Sequence, residues 1–203
     1  MALLPVAARA FHVIPHSHVD IGYSDPQPEV ERKQWANFRD ALTLFPKTKD
    51  MPPEARFRWE AEGLWAVESY LEQATEKERV ELAEAVTRGD LGLPANLTNV
   101  LTGLCHPAEL ARWTDASRRL KRRYGIETSP VAMHTDIPGL AWPTVAALAQ
   151  AGVRYFSSGP NYMPNLKPDG GDRIGSTLVE HGDRPFWWVS SSGRERLLMW
   201  VAG

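Results

Sequence analysis

Three polar residues at alternate positions follow the first apolar run of the sequence. They are His16, His18 and Asp20, in the segment FHVIPHSHVDIGY. A β-strand turns successive side chains to opposite faces, so residues two apart share a face and can converge on one ion. Imidazole nitrogen and carboxylate oxygen are ligands that zinc prefers, and a set at a strand end leaves positions open for a substrate. The spacing fits a catalytic metal site, although His16 packed behind the strand and Asp20 capping the next helix would give the same pattern.

A second polar cluster occurs in the segment HTDIPG. An apolar run ends in His134 and Asp136, Pro138 and Gly139 then turn the chain, and an alanine-rich helical pattern follows. Asp136 is therefore predicted at the edge where α/β sheets bind ligands, and two such clusters can meet in one pocket. For Asp136 taken alone, capping of the next helix is slightly favoured. By period two His134 shares the face of Asp136, as a further ligand or a hydrogen-bond partner of one.

Apolar runs, capping residues and prolines predict strands that alternate with helices, and repeated βα units imply a parallel sheet. Strands are predicted at residues 11–15, 56–60, 91–94, 131–134, 153–157, 186–189 and 197–201. Helices are predicted at residues 29–45, 64–72, 77–88, 108–124 and 141–151, with Pro46 ending the first. Residues 161–182 are rich in Gly, Pro and Asp and predict a long loop, whereas residues 190–193 predict a hairpin turn.

Three stretches resemble the N-terminal catalytic domain of family 38 glycoside hydrolases, the retaining, zinc-dependent α-mannosidases. They are PHSHVDIGY, LTNVLTGLCHPAEL and HTDIPG. The resemblance covers residues 11–203, preceded by an N-terminal extension at residues 1–10. It implies an α/β fold, a seven-stranded β/α barrel. A βα barrel takes about 250 residues, and the sequence stops after the apolar segment LLMWVAG, so we expect an incomplete barrel, truncated at its C-terminal side.

The resemblance also implies roles for particular residues. It implies that His18 and Asp20 bind zinc, and that Asp136 binds the same zinc and is the catalytic nucleophile. Tyr23 occupies the position of an aromatic residue, commonly Trp, that stacks on the sugar. The family's whole proteins supply a further histidine ligand and the general acid beyond the end of this chain. We therefore expect the 203-residue chain alone to be inactive.

Other residues support weaker hypotheses. Asn161, after the fifth predicted strand, is a candidate for hydrogen bonding to substrate. Glu60 and Glu62 follow the second strand and could reach the same mouth, although a solvated loop is favoured. A His16 and His18 ligand pair would instead suggest an amidohydrolase-like or deacetylase-like metal hydrolase, in which the ion activates water. A noncatalytic, truncated sugar-binding module is a third possibility.

Composition restricts the partners. With 23 basic and 25 acidic residues the chain is near neutral, so neither nucleic acid nor an anionic membrane is an expected partner. The expected partners are a carbohydrate substrate and the missing C-terminal part of the same protein. No apolar stretch approaches the roughly 20 residues that span a bilayer. The first ten residues lack the basic start and apolar length of a signal peptide, which predicts a cytoplasmic location.

Overall fold

Seven strands lie in two sheets of the computed structural model, which describes residues 13–137, 139–159 and 184–201. The first sheet is parallel and contains, in spatial order, β1 (His16–Ser17), β2 (Trp59–Ala61) and β3 (Leu91–Gly92). The second contains, in spatial order, β4 (Val131–Thr135), β5 (Tyr155–Gly159), β7 (Arg196–Val201) and β6 (Phe186–Val189). Strands β4, β5 and β7 are parallel, and β6 is antiparallel to β7.

Within the described ranges, six α-helices connect or flank these strands. They are α1 (Gln27–Thr48), α2 (Leu64–Gln73), α3 (Glu76–Arg88), α4 (Pro107–Arg112), α5 (Asp115–Tyr124) and α6 (Pro143–Gln150). Short 3-10 helices occupy Pro53–Ala55 and Thr102–Leu104. Among the described residues, no helix is both long enough and apolar enough to cross a bilayer.

The two sheets meet between β3 and β4. Beyond the end of β3, the Ala95 amide donates to the Val131 carbonyl at 2.7 Å. The buried Asn96 side chain bonds both the amide and the carbonyl of Met133, each at 2.9 Å. The βα succession and parallel pairing confirm the α/β prediction. The described strands form two open sheets, and within them the predicted seven-stranded ring is not seen to close.

The main hydrophobic core lies between the first sheet and its helices. Phe38 of α1 is 1% exposed, and its ring centroid lies 5.0 Å from that of Trp59 on β2 and 5.1 Å from that of Tyr70 on α2. A second cluster covers β4, β5 and β7 with residues such as Leu148 and Phe156. One face of each sheet is thereby buried under helices, and in the first sheet the other face carries polar side chains.

Strand β2 shows this division residue by residue. Trp59 and Ala61 belong to the helix-covered core, whereas Glu60 and Glu62 alternate with them. The Glu60 carboxyl lies over Gly92 of β3, where any Cβ would collide with it. Burial in this position raises the pKa of Glu60 to about 7.

We expect Glu60→Gln to stabilise the chain at pH 8 by up to about 3 kcal/mol, and to change its stability little at pH 4. The folded state holds the Glu60 proton more tightly than the unfolded state, where the ordinary pKa of 4.5 applies. Stability of the wild type is therefore lost as the pH rises from 4.5 through 7. Urea unfolding at both pH values measures the difference, with the exposed Glu54→Gln as control. An equal gain at both pH values would contradict the assignment.

Some predicted boundaries are wrong for identifiable reasons. Helix α1 does not stop at Pro46 but continues to Thr48, because Phe45 in its last turns is buried and stacks on Phe57 at 5.6 Å. The single helix predicted at residues 108–124 is two helices. The break includes Trp113, whose buried indole donates to the Thr98 carbonyl at 2.7 Å. The first strand begins at His16 and not within residues 13–15, and the loop predicted at residues 161–182 lies outside the described residues.

Candidate metal site

Two strand ends bring three predicted ligands together. His18 and Asp20 follow β1, and Asp136 directly follows β4, so all three lie at the carboxyl ends of their strands. One potential ligand atom from each lies within 4.8 Å of the others. His18 Nε2 is 3.3 Å from Asp20 Oδ1 and 3.5 Å from Asp136 Oδ2. The three side chains are 30%, 40% and 44% exposed in that order, so the group is open to solvent and to a ligand.

One nitrogen of the histidine faces the two carboxylates. His18 Nε2 is buried and makes no hydrogen bond, although both aspartates are near it. Its near polar neighbours are the carboxylates of Asp20 and Asp136, and an imidazole nitrogen beside two carboxylates is a suitable donor set for a zinc-type cation. The residues therefore fit a divalent ion, with coordination positions to spare.

The other nitrogen of His18 is held by a buried glutamate. His18 Nδ1 lies 2.9 Å from Glu62 Oε1, and the Glu62 side chain is 2% exposed. The Val19 amide donates to Glu62 Oε2 at 2.7 Å, and the Thr135 hydroxyl donates to Oε1. One carboxylate thus contacts the chain on both sides of the site.

These contacts shift the pKa values of His18 and Glu62 in opposite directions. The hydrogen bond to Glu62 raises the pKa of His18 to about 9, against the opposing effect of burial. Burial by itself would raise the pKa of Glu62, but hydrogen bonds from His18 and Thr135 outweigh it and lower that pKa. Zinc binds an imidazole nitrogen that carries no proton, so ion uptake at His18 must displace one.

Asp136 leaves the strand conformation. Its φ angle is 58°, in the left-handed region that Asp tolerates better than most residues. Its amide donates to the Gly159 carbonyl at 2.9 Å, one step beyond the β4–β5 ladder. Strained backbone of this kind clusters at functional sites. The turn at Asp136 means that strand alternation does not extend to its side chain.

His134 shows the consequence of that turn. Its side chain is fully buried against Trp113 and Phe156, with ring centroids at 5.9 and 6.1 Å, and its Nε2 bonds the Val100 carbonyl at 2.9 Å. It lies on the core side of β4 and is not among the three clustered ligands. The expectation that His134 shares the face of Asp136 is therefore wrong, because period two applies only while the strand continues.

The model of the Glycosyl hydrolases family 38 N-terminal domain matches residues 8–201. The chain belongs to glycoside hydrolase family 38. A search of curated protein sequences finds no significant match. The family assignment agrees with the resemblance carried by the two polar motifs and the segment between them.

Three solved structures have folds similar to that of the family 38 chain. An α-mannosidase from Enterococcus faecalis V583 aligns with a TM-score of 0.67 at 16% identity, over 93% of this chain and 19% of that one. A family 38 protein from E. faecalis gives 0.59 at 13% identity, over 92% and 18%. A 4-α-glucanotransferase from Thermococcus litoralis gives 0.60 at 14% identity, over 93% and 27%. The chain thus spans about a fifth of the length of the two E. faecalis proteins, and these likenesses show the fold alone.

Other predicted site residues of the family 38 chain fall in different places. His16 lies on β1 opposite Glu60 and is exposed, outside the three-ligand group. Tyr23 is 90% exposed on the segment that follows β1. Asn161 lies outside the described residues. The sugar-binding roles assigned to Tyr23 and Asn161 stay predictions.

The helix-capping alternatives for the aspartates are wrong. Helix α1 begins at Gln27 with Pro26 as its N-cap, and Asp20 is well before it. Helix α6 begins at Pro143 with Trp142 as its N-cap, and Asp136 is again several residues away. Neither carboxylate is therefore used at a helix end, which leaves both available to a cation.

Glu62 is the site residue that sequence reasoning undervalued. The sequence favours a solvated loop for Glu62, and that interpretation is wrong because the side chain is buried. The available signal was the spacing of Glu60 and Glu62, the same period two that singled out His18 and Asp20. Thr135 and Gly159 had no comparable signal. Gly159 is needed because the Thr135 methyl occupies the space where its Cβ would be.

Proposed function

We propose that this chain carries the zinc site and the nucleophile of a retaining glycoside hydrolase that acts on α-mannosides. The observation that carries the proposal is the convergence of His18, Asp20 and Asp136 from two strand ends, in a chain of family 38. His18 Nε2 and one carboxylate oxygen from each aspartate would hold the ion. When bound, the ion would hold sugar hydroxyls and fix the orientation of the ring.

The exposure of Asp136 supports the catalytic role proposed for it. Its side chain is 44% exposed, the largest exposed fraction of the three, so a sugar ring can reach its carboxylate. A retaining glycosidase needs one carboxylate to attack the anomeric carbon and an acid about 5 to 5.5 Å away to protonate the leaving oxygen. Asp136 would make the attack. The exposed ring of Tyr23 would offer a face on which a pyranose can stack.

The remaining partners belong to the same proposal. The general acid and a further histidine ligand would come from a part of the protein beyond residue 203, and the 203-residue chain alone would then be inactive. A carbohydrate is the proposed substrate, whereas nucleic acid and membrane are not proposed partners. The cytoplasmic location is a prediction from sequence.

Zinc uptake by the chain tests the metal site. We expect one zinc ion per chain, and we expect the double variant His18→Ala and Asp20→Ala to lose stoichiometric uptake. His16→Ala is the matched control, because His16 lies on the same strand but outside the group. Metal content after dialysis and titration against a chromophoric chelator give the measurement. If His16→Ala removed zinc while Asp20→Ala alone kept it, a His16 and His18 ligand pair, and with it the water-activating metal hydrolase, would be the better assignment.

Turnover tests the reaction itself. The protein encoded by the longest open reading frame that contains this sequence should hydrolyse an aryl α-mannoside and release the aryl alcohol. Proton NMR should show that the sugar is released first in the α configuration. The 203-residue chain alone should give no measurable release. An inverted product in the longer protein would exclude the double-displacement reaction proposed for Asp136. Measurable turnover by the chain alone would show that the general acid lies within it.

A further inference from the structure

The three candidate ligands share one neighbour. The Glu62 carboxylate contacts His18 directly, bonds the amide of Val19 between His18 and Asp20, and accepts from Thr135 next to Asp136. Each ligand is thus held either directly or through the adjacent residue. The carboxylate is almost completely shielded from water, so these bonds are not weakened by exchange with solvent.

We propose that Glu62 is the positioning residue of this site: its carboxylate fixes the proton of His18 on Nδ1 and ties the β1 and β4 strand ends into one ligand group. The inference rests on the proposed function, since it concerns the same metal site. A carboxylate has no hydrogen to donate, so Nδ1 must donate to it and Nε2 is left to coordinate. The Val19 amide N–H can only donate as well, so both groups donate to the Glu62 carboxylate and the carboxylate only accepts.

The local fold holds Glu62 in place. It directly follows β2, whose residues Trp59 and Ala61 are buried in the core under the helices. The next residue, Gly63, has its backbone against Leu97, and a Cβ there would lie 2.8 Å from the Leu97 carbonyl oxygen. The end of β2 is therefore packed against the core on one side and against the segment at Leu97 on the other. The Glu62 carboxylate has little freedom to follow a displaced histidine.

Replacing the carboxylate by its amide tests the proposal. In Glu62→Gln the side chain keeps its size but presents one accepting oxygen and one donating nitrogen to three donors. His18 can satisfy the amide nitrogen only by moving its own proton to Nε2, the atom that must bind the ion. We expect zinc affinity to fall about 10- to 100-fold while the chain stays folded. Chelator competition measures the affinity, and the absorption spectrum of the Co²⁺-loaded protein reports the ligand geometry.

Two further variants separate positioning from general damage. Glu60→Gln makes the same chemical change two residues earlier, on β2, and we expect it to leave zinc affinity unchanged. Thr135→Val removes the hydroxyl that reaches Glu62 and should lower zinc affinity several-fold, whereas Thr135→Ser should keep the wild-type value. The Thr135 pair tests the link between the strands even if Glu62→Gln does not fold.

The outcomes separate this inference from the proposed function. If the wild-type chain binds zinc and both Glu62→Gln and Thr135→Val bind it equally tightly with an unchanged Co²⁺ spectrum, Glu62 is not a positioning residue and the proposed function stands. If the wild type binds no zinc, the proposed metal site is wrong, and the inference is wrong with it. Weaker zinc binding by Glu62→Gln, with Glu60→Gln unaffected, supports the positioning role.

Discussion

Asp136→Asn is expected to reduce α-mannoside hydrolysis by at least about 1,000-fold in the protein encoded by the longest reading frame that contains this chain. An amide is a poor nucleophile, so the glycosyl-enzyme intermediate should no longer form. The same change should weaken zinc binding by at least about 100-fold, because even residues that only support a metal ligand are worth about 10- to 100-fold in affinity. Mass spectrometry of acid-quenched enzyme and chelator competition measure the two effects.

The substitution is well matched to its position. Asp136 has a φ angle of 58°, and Asn adopts this left-handed backbone as readily as Asp does. A loss of function would therefore be due to the carboxylate and not to the turn. Asp50→Asn, at an exposed position, is the control and should change neither turnover nor zinc affinity. An Asp136→Asn enzyme with normal turnover and normal zinc would rule out both proposed roles.

The fold could be predicted from the sequence where the signal was local. Strand β6 has the predicted bounds, and α2 and α3 differ from prediction by one residue at an end. The errors occur where tertiary contacts decide: Pro46 is accommodated in α1 by the burial of Phe45, and Trp113 ends α4 by packing inward. Such contacts join residues far apart in the sequence, so the residues at the element boundaries did not predict them.

The site too could be predicted where the signal was local, and could not where tertiary contacts decide. The spacing of two predicted a common face for His18 and Asp20, which in fact follow β1, and the end of the fourth predicted strand pointed to Asp136 before the family resemblance gave it a role. The bridging role of Glu62 depends on its burial, and burial depends on how β2 lies between β1 and β3. The orientation of Asp136 depends on a left-handed φ angle. The type of residue permits such an angle but does not require it.

Phe38→Ala is expected to have the largest effect on stability, a loss of about 3 to 5 kcal/mol in the free energy of unfolding. Phe38 is 1% exposed and packs edge-on to Trp59 and stacked on Tyr70, so its ring joins α1, β2 and α2. Truncation removes both aromatic contacts and leaves a cavity directly behind the strand that leads into Glu62. A domain of this size has a total stability of about 5 to 15 kcal/mol, so the variant should be marginal at 25 °C.

Leu44→Ala is the matched control because Leu44 lies on the same helix but is 39% exposed. We expect it to cost about 1 kcal/mol or less, since its side chain is only partly removed from water on folding. Urea unfolding followed by tryptophan fluorescence and by circular dichroism gives both values. A loss for Phe38→Ala no greater than that for Leu44→Ala would mean that α1 is not anchored to β2 through this ring. The support for Glu62 would then have to come from the Gly63 and Leu97 contact instead of from the core.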